Sequence, residues 1–175
     1  MIKPTRGALL DDFAAMSAAL TGFTLELVRP PLDPLNLTQA YFDEATSRTV
    51  NKPATVQTLL AAYRAIQAQP PQIIADSLLE TASASPSDNA LLAQSIVLLW
   101  YFGAWYEPLV AGAPPPTAPP GAVQIVSSTA YTHGLAWNVM QSHPIGFSEL
   151  TFGYWSTPPG PISQFGVNEP TGGEK

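Results

Sequence analysis

Ser85-Pro86-Ser87-Asp88-Asn89-Ala90-Leu91-Leu92-Ala93-Gln94-Ser95-Ile96-Val97-Leu98-Leu99-Trp100-Tyr101-Phe102-Gly103-Ala104-Trp105-Tyr106 is the most apolar long segment of the chain, and the rest of the architecture is arranged around it. It opens with a helix start: Ser85 as cap, Pro86 at the first helical position and Asp88 three residues after the serine. The helix expected over residues 88–106 is apolar nearly all round. Leu92, Ile96, Leu99 and Phe102 lie on one side, and Val97, Trp100 and Ala104 on another. A helix without a polar face must be surrounded by other helices, which places this one at the centre of a bundle. Its apolar run is interrupted by Gln94 and Ser95 and stops at Glu107-Pro108, short of the ~20 residues that span a bilayer.

The segments before it supply the surrounding layer. Leu9, Phe13, Met16 and Leu20 recur at three- and four-residue spacing on one helix face, and Thr21-Gly22 ends that helix. Residues 23–32 read as a connector. Asp33-Pro34 signals the next start, for a helix holding Leu37, Tyr41, Phe42 and Ala45. After Lys52-Pro53, Val56, Leu59, Leu60, Tyr63 and Ile66 form an amphipathic stripe opposed by Gln57, Arg64 and Gln67. Pro70-Pro71 breaks it, and Ile73, Ile74, Ser77 and Leu78 form a shorter helix with Asp76 and Glu80 on its wetter side.

Residues 107–122 are a proline-rich connector, including Pro114-Pro115-Pro116 and Pro119-Pro120-Gly121, either a strut laid over the surface or a loose insertion. A last helix is expected over residues 128–141. Residues 142–175 form an extended arm that carries Phe147, Phe152, Tyr154 and Trp155 among glycines and prolines, which oppose helix and central strand. No alternation is long enough to claim a sheet. The reading is therefore all-α: a single helical domain over 1–175, an irregular bundle of about six helices on the 3.6-residue period, with a connector and an aromatic C-terminal arm.

Composition narrows the function. Charged residues make up only 11% of the chain, against about 25% in typical soluble domains, so either a partner covers part of the surface or uncharged polar residues decorate it. The net charge is −6 with only 7 Lys and Arg, which offers no basic stripe for nucleic acid and no electrostatic hold on anionic lipid. With no cysteine, disulfides, thiolate metal sites and cysteine nucleophiles are all excluded. Met1-Ile2-Lys3-Pro4-Thr5-Arg6 shows no twin arginine and no long apolar region; either the chain is cytoplasmic, or a signal was removed, or export relies on a partner.

Catalysis needs titratable groups that converge. The two histidines are His133, expected within the last helix on a face shared with Trp137 and Met140, and His143, just past its end. Both read more simply as packing or helix-end residues than as bases or ligands. Asp11, Asp12, Asp43 and Glu44 read as solvated helix faces. No glycine-rich nucleotide fingerprint, no His-Glu-x-x-His and no Gly-x-Ser-x-Gly is present. No catalytic, cofactor-binding or metal-binding residue is expected, which favours a binding or structural role.

Three stretches together resemble a known family. They are Leu20-Thr21-Gly22-Phe23 with Leu32-Asp33-Pro34; Ala93-Gln94-Ser95-Ile96 leading to Trp100-Tyr101-Phe102-Gly103; and Tyr131-x-x-Gly134-Leu135-Ala136-Trp137, then His143-Pro144-x-Gly146, Phe152-Gly153-Tyr154-Trp155 and Pro158-Pro159. In their order and spacing they resemble the small subunit of membrane-bound, FAD-dependent sugar and polyol dehydrogenases (sorbitol, fructose and glucose dehydrogenase complexes). The resemblance implies a non-catalytic chain without a redox cofactor. It implies FAD in a separate large subunit that oxidises the sugar, and often a cytochrome c subunit that passes electrons on. The small subunit would bind and stabilise the large one and help its maturation and export, in the periplasm, reaching the membrane only through the complex. The chain departs from the family in lacking a twin-arginine signal at its start.

An obligate interface resembles half a core, and its energetic centres are typically aromatic. The partner-facing residues expected are Phe147, Phe152, Tyr154 and Trp155, with His143, Pro144 and Pro158 shaping the arm; the alternative is that these rings fold back over their own helices. Trp100, Tyr101 and Trp137 are assigned to core before interface. A stand-alone periplasmic sugar-binding or sugar-modifying protein is the competing function, and a transient export chaperone of the flavoprotein is a third.

Overall fold

The computed structural model describes residues 5–107 and 123–142. They are mostly helical. Helix α1 (Arg6–Thr21) begins where Thr5 Oγ1 accepts the Ala8 amide at 3.3 Å, and ends at Gly22 in the left-handed conformation. Then come α2 (Leu25–Val28), α3 (Leu37–Arg48), α4 (Val56–Ile66), α5 (Pro71–Leu79) and α6 (Asp88–Phe102). A two-stranded antiparallel ribbon, β1 (Ala104–Tyr106) with β2 (Val123–Ile125), and two short helices, α7 (Ser128–Thr132) and α8 (Leu135–Val139), complete the described chain.

Helix α6 is the hub, in contact with α1, α3, α4, α5, α8 and β1. Its Leu92, Ile96, Leu99 and Trp100 enter one core with Phe13 and Met16 of α1, Tyr41 of α3, and Leu59 and Leu60 of α4. Edge-to-face ring pairs organise this core: Phe13 with Phe42 at 5.5 Å and Tyr41 with Trp100 at 4.7 Å between centroids. The Tyr41 hydroxyl donates to the Ala130 carbonyl at 3.3 Å, so α3 reaches α7 across the core. Burial raises the Tyr41 phenol above its ordinary pKa.

The structure corrects the sequence reading at several boundaries. The bundle is not purely helical: Gly103 ends α6 at Phe102, and the residues assigned to its last turn, Ala104–Tyr106, pair instead as β1. Residues 23–32 are not all connector, because Leu25–Val28 makes a helical turn. Asp33 caps no helix; its Oδ1 accepts the Asn36 amide at 2.7 Å in a turn, and α3 starts at Leu37. Ser87, not Ser85, caps α6, accepting the Ala90 amide at 3.3 Å. The start of α4 is a reciprocal capping box between Thr55 and Thr58 rather than a proline signal. The last helix is two helices, broken at Gly134.

The acidic residues lie on solvated or half-solvated helix faces, as read, and each pairs there with a cation. Asp12 pairs with Arg64 and ties α1 to α4; Asp11 meets Arg29 at 2.8 Å; Asp43 meets Arg6 at 2.6 Å; Glu44 meets Arg48 at 2.8 Å. Such exposed or half-exposed pairs add little stability.

The α5–α6 turn is held by Glu80, which sits at φ 49°. Its carboxylate accepts from the Ser87 amide at 2.8 Å and from the Ser87 hydroxyl at 2.5 Å, and these bonds hold its pKa below the ordinary value. A carboxylate with a depressed folded pKa contributes stability above its unfolded pKa and loses it as pH falls through the folded one. Glu80→Gln is therefore expected to be less stable than wild type at neutral pH, with the gap closing as pH drops below about 4.5. Urea unfolding across that range reads the gap, and a gap independent of pH would show that the clamp does not form.

Candidate protein-docking face

The end of the hub helix is built around two glycines. Gly103 takes φ 62°, which L side chains rarely adopt, and a Cβ there would fall on the backbone of Ala130 and Tyr131. Gly134 would place a Cβ 2.6 Å from the Tyr101 carbonyl oxygen. The chain after β2 is thus pressed backbone to backbone against the end of α6. The Val126 amide donates to the Gly103 carbonyl at 3.0 Å, and Arg48 of α3 donates to Gln124 of β2.

This crossing decides which rings go in and which stay out. Trp105 is buried on one side of the ribbon. On the other side Tyr106 pairs with Val123 and Ala104 with Ile125, so Tyr106, Val123 and Ile125 share a face. Tyr106 lies 6.1 Å from the Phe102 ring, which is 6.5 Å from Tyr101, which is 6.0 Å from Phe23. Tyr101 is tethered by its hydroxyl, which donates to the Thr21 carbonyl at 3.1 Å, and partial burial raises its pKa. Phe102 is 43% exposed and Ile125 61%. Beside them α8 packs on α6 and leaves Val139 and Met140 exposed.

Helix α6 itself carries a half-buried stripe along Gln94, Val97, Leu98 and Tyr101, leading to Phe102. These positions follow the 3.6-residue period and so form one face. The hub is enclosed on its other sides and partly open here, which revises the expectation of a helix covered all round.

The electrostatics match. From Asn89 to Ser148 the sequence contains a single Asp, Glu, Lys or Arg, Glu107. The face built from the second half of α6, the ribbon, α7 and α8 is therefore uncharged apart from the end of β1, whereas the other helices bear the ion pairs. A protein surface that is apolar and nearly free of charge resembles the core of an interface.

Of the residues expected at the interface, His143, Pro144, Phe147, Phe152, Tyr154, Trp155 and Pro158 all lie outside the described residues. Trp100 is buried, as assigned, whereas Tyr101 and Trp137 are half-buried. Trp137 donates to the Tyr131 carbonyl at 2.8 Å and stacks edge-on against that ring at 5.5 Å. His133 does not share a helix with Trp137 and Met140: it caps the end of α7, exposed, with Nδ1 2.9 Å from the Thr129 carbonyl.

A cavity of about 150 Å³ lies between the end of α3, the start of α6 and β1, lined by Arg48, Lys52, Asp88, Trp105 and Glu107 among others. A second, of about 270 Å³, lies between the segment after α2 and the α7–α8 corner. Among the described residues no cluster of three or more His, Asp or Glu side chains could hold a metal ion, and no helix is long and apolar enough to cross a membrane.

Comparison of the chain with protein-family models, with curated proteins and with solved structures finds no match.

Proposed function

We propose that this chain is a non-catalytic small subunit that binds and stabilises the FAD-containing catalytic subunit of a sugar or polyol dehydrogenase complex, and helps it to mature or be exported. The supporting observation is the uncharged apolar face around Tyr101, Phe102, Tyr106 and Ile125, which has the make-up of a protein contact. The family is suggested by the resemblance of the sequence words around Leu20, Trp100 and Trp137. In this reading FAD stays in the large subunit and a cytochrome c subunit can accept its electrons. The complex works in the periplasm and reaches the membrane only through its other members, and the arm after Gln141 adds aromatic anchors.

The stand-alone sugar-binding reading draws support from the 150 Å³ cavity, where an indole meets two cations and two carboxylates. Size weighs against it. Small-molecule sites typically enclose ~300–1,000 Å³, and this one encloses about 150 Å³. Arg48 is also committed to Glu44 and Gln124.

Co-expression with an FAD-dependent dehydrogenase from an adjacent reading frame tests the proposal. The expected result is co-purification and a higher yield of FAD-loaded enzyme. A monodisperse monomer that retains no flavoprotein would sink it, and calorimetric binding of a polyol or aldose by the chain alone would favour the competing reading.

A further inference from the structure

We infer that the outer edge of β2 pairs with an extended, uncharged strand of the partner polypeptide, which adds a third strand to the ribbon. This rests on the docking reading above and adds the mode of contact. β2 is an edge strand, and the phase of its ladder fixes which backbone groups are left over. The Val126 amide donates to the Gly103 carbonyl at 3.0 Å, so Gly103 and Val126 are a hydrogen-bonded pair. Bonded and non-bonded pairs alternate along an antiparallel ribbon. Trp105 and Gln124 are therefore the next bonded pair. Val123 and Ile125, opposite Tyr106 and Ala104, turn their N–H and C=O groups away from β1. Among the described residues no group bonds to them there. β1 is mostly buried, whereas Gln124 and Ile125 are exposed, so the open edge of the ribbon is also the accessible one.

Such an edge selects its occupant. N–H and C=O groups repeating at strand spacing are matched by another extended backbone, the recognition mode called β-augmentation. Charge or proline commonly protects an exposed edge, and Val123-Gln124-Ile125 has neither. The edge is short, so side chains must add to the contact. Val123 and Ile125 lie on the face of Tyr106, whose ring is 6.1 Å from Phe102. Partner residues paired with them meet that uncharged apolar face and are apolar themselves. A second copy of this chain fits less well. Antiparallel pairing of two β2 edges, Val123 opposite Ile125, sets Gln124 against Gln124. It brings both Arg48 guanidinium groups, each donating to its own Gln124, to one side of the ladder, and like charges opposed there are destabilising.

The test uses the full chain and two isomers of the capped peptide Thr-Val-Thr-Val-Thr. One is N-methylated on both valines, the other on the middle and last threonines. Successive N–H groups of a strand point to opposite edges, so the first isomer loses the edge that places its valines beside Ile125 and the second keeps it. The threonine-methylated isomer is expected to shift the Val123 and Ile125 amide resonances saturably. It should bind at least about tenfold more tightly than the valine-methylated one, which lacks two backbone donors. In the purified complex the same two amides should exchange with deuterium at least about tenfold more slowly than in the free chain. No saturable shift, equal affinity of the isomers, or unprotected amides in a complex that does form would each overturn the inference. Protection already present in the free chain would also overturn it, giving the edge to another segment of this chain in a monomer or to a second copy in a dimer. The docking reading fails separately, if wild type retains no flavoprotein while the peptide binds.

Discussion

Gly103→Ala is expected to lower stability by about 3–5 kcal/mol, far more than an alanine substitution at an ordinary helix end. Two costs add at this position. The first is conformational: at φ 62° any residue with a Cβ pays on the order of 1–2 kcal/mol. The second is steric, because the new carbon lands on the Ala130 carbonyl and beside the Tyr131 amide, and backbone cannot swing away as a side chain can. Relief requires the chain after β2 to lift from α6, which also loosens the Tyr41 hydroxyl bond to Ala130 and the Val126 bond to Gly103. Gly22 supplies the control. It has φ 77° but open space around its Cβ position, so Gly22→Ala pays the first cost alone, about 1 kcal/mol. For a chain of this size each kcal/mol moves the melting temperature by roughly 2–4 °C, so Gly103→Ala should fall by roughly 6–20 °C and Gly22→Ala by a few degrees. Equal losses in calorimetry would mean that the backbone crossing is not formed.

The sequence made the bundle readable where a helix is long and amphipathic or apolar throughout. The stripe Val56, Leu59, Leu60, Tyr63 is buried as spaced, and Gly22 and Pro71 stand where left-handed and first-turn positions need them. Three kinds of feature escaped. The ribbon strands have three residues each, too few for alternation to register, and their pairing joins Tyr106 to Val123 across the proline-rich connector. The break at Gly134 is imposed by the Tyr101 carbonyl lying beneath it, a tertiary demand that leaves only a glycine as its trace. In Ser85-Pro86-Ser87-Asp88 two serines compete for one cap, and Glu80, seven residues before the winner, tips the choice through its bonds to Ser87. The uncharged face did have a sequence signature, the near absence of charge after Asp88, but an average over the whole chain spreads that deficit evenly and hides where it lies. In the sequence the rings of Phe147, Phe152, Tyr154 and Trp155 are crowded among glycines and prolines and so stand out. The exposed Phe102 is spaced like a core residue, and only the end of α6 at Gly103 turns it outward.

Phe102→Asp is expected to leave the fold standing and to weaken the complex with the flavoprotein by at least about thirtyfold, the loss of a hot spot worth ~2 kcal/mol. The ring is 43% exposed in the free chain, so a carboxylate there stays wet and costs little before docking. In the complex the same carboxylate must leave water in a sector with no cation among the described residues of α6, α7 and α8, and an unpaired buried charge is far more costly than a lost ring contact. Ile73→Asp is the matched control: Ile73 is 49% exposed, similar in size, and sits on α5 near Asp76 and Glu80, on the charged side of the bundle. It should retain the flavoprotein like wild type. The pair separates an effect of position from a general dislike of added negative charge, which both variants share. Affinity measured with the purified flavoprotein, alongside thermal melts of the free variants, gives the readout. Equal retention of the flavoprotein by Phe102→Asp and Ile73→Asp would move the contact off this face and onto some other surface of the chain.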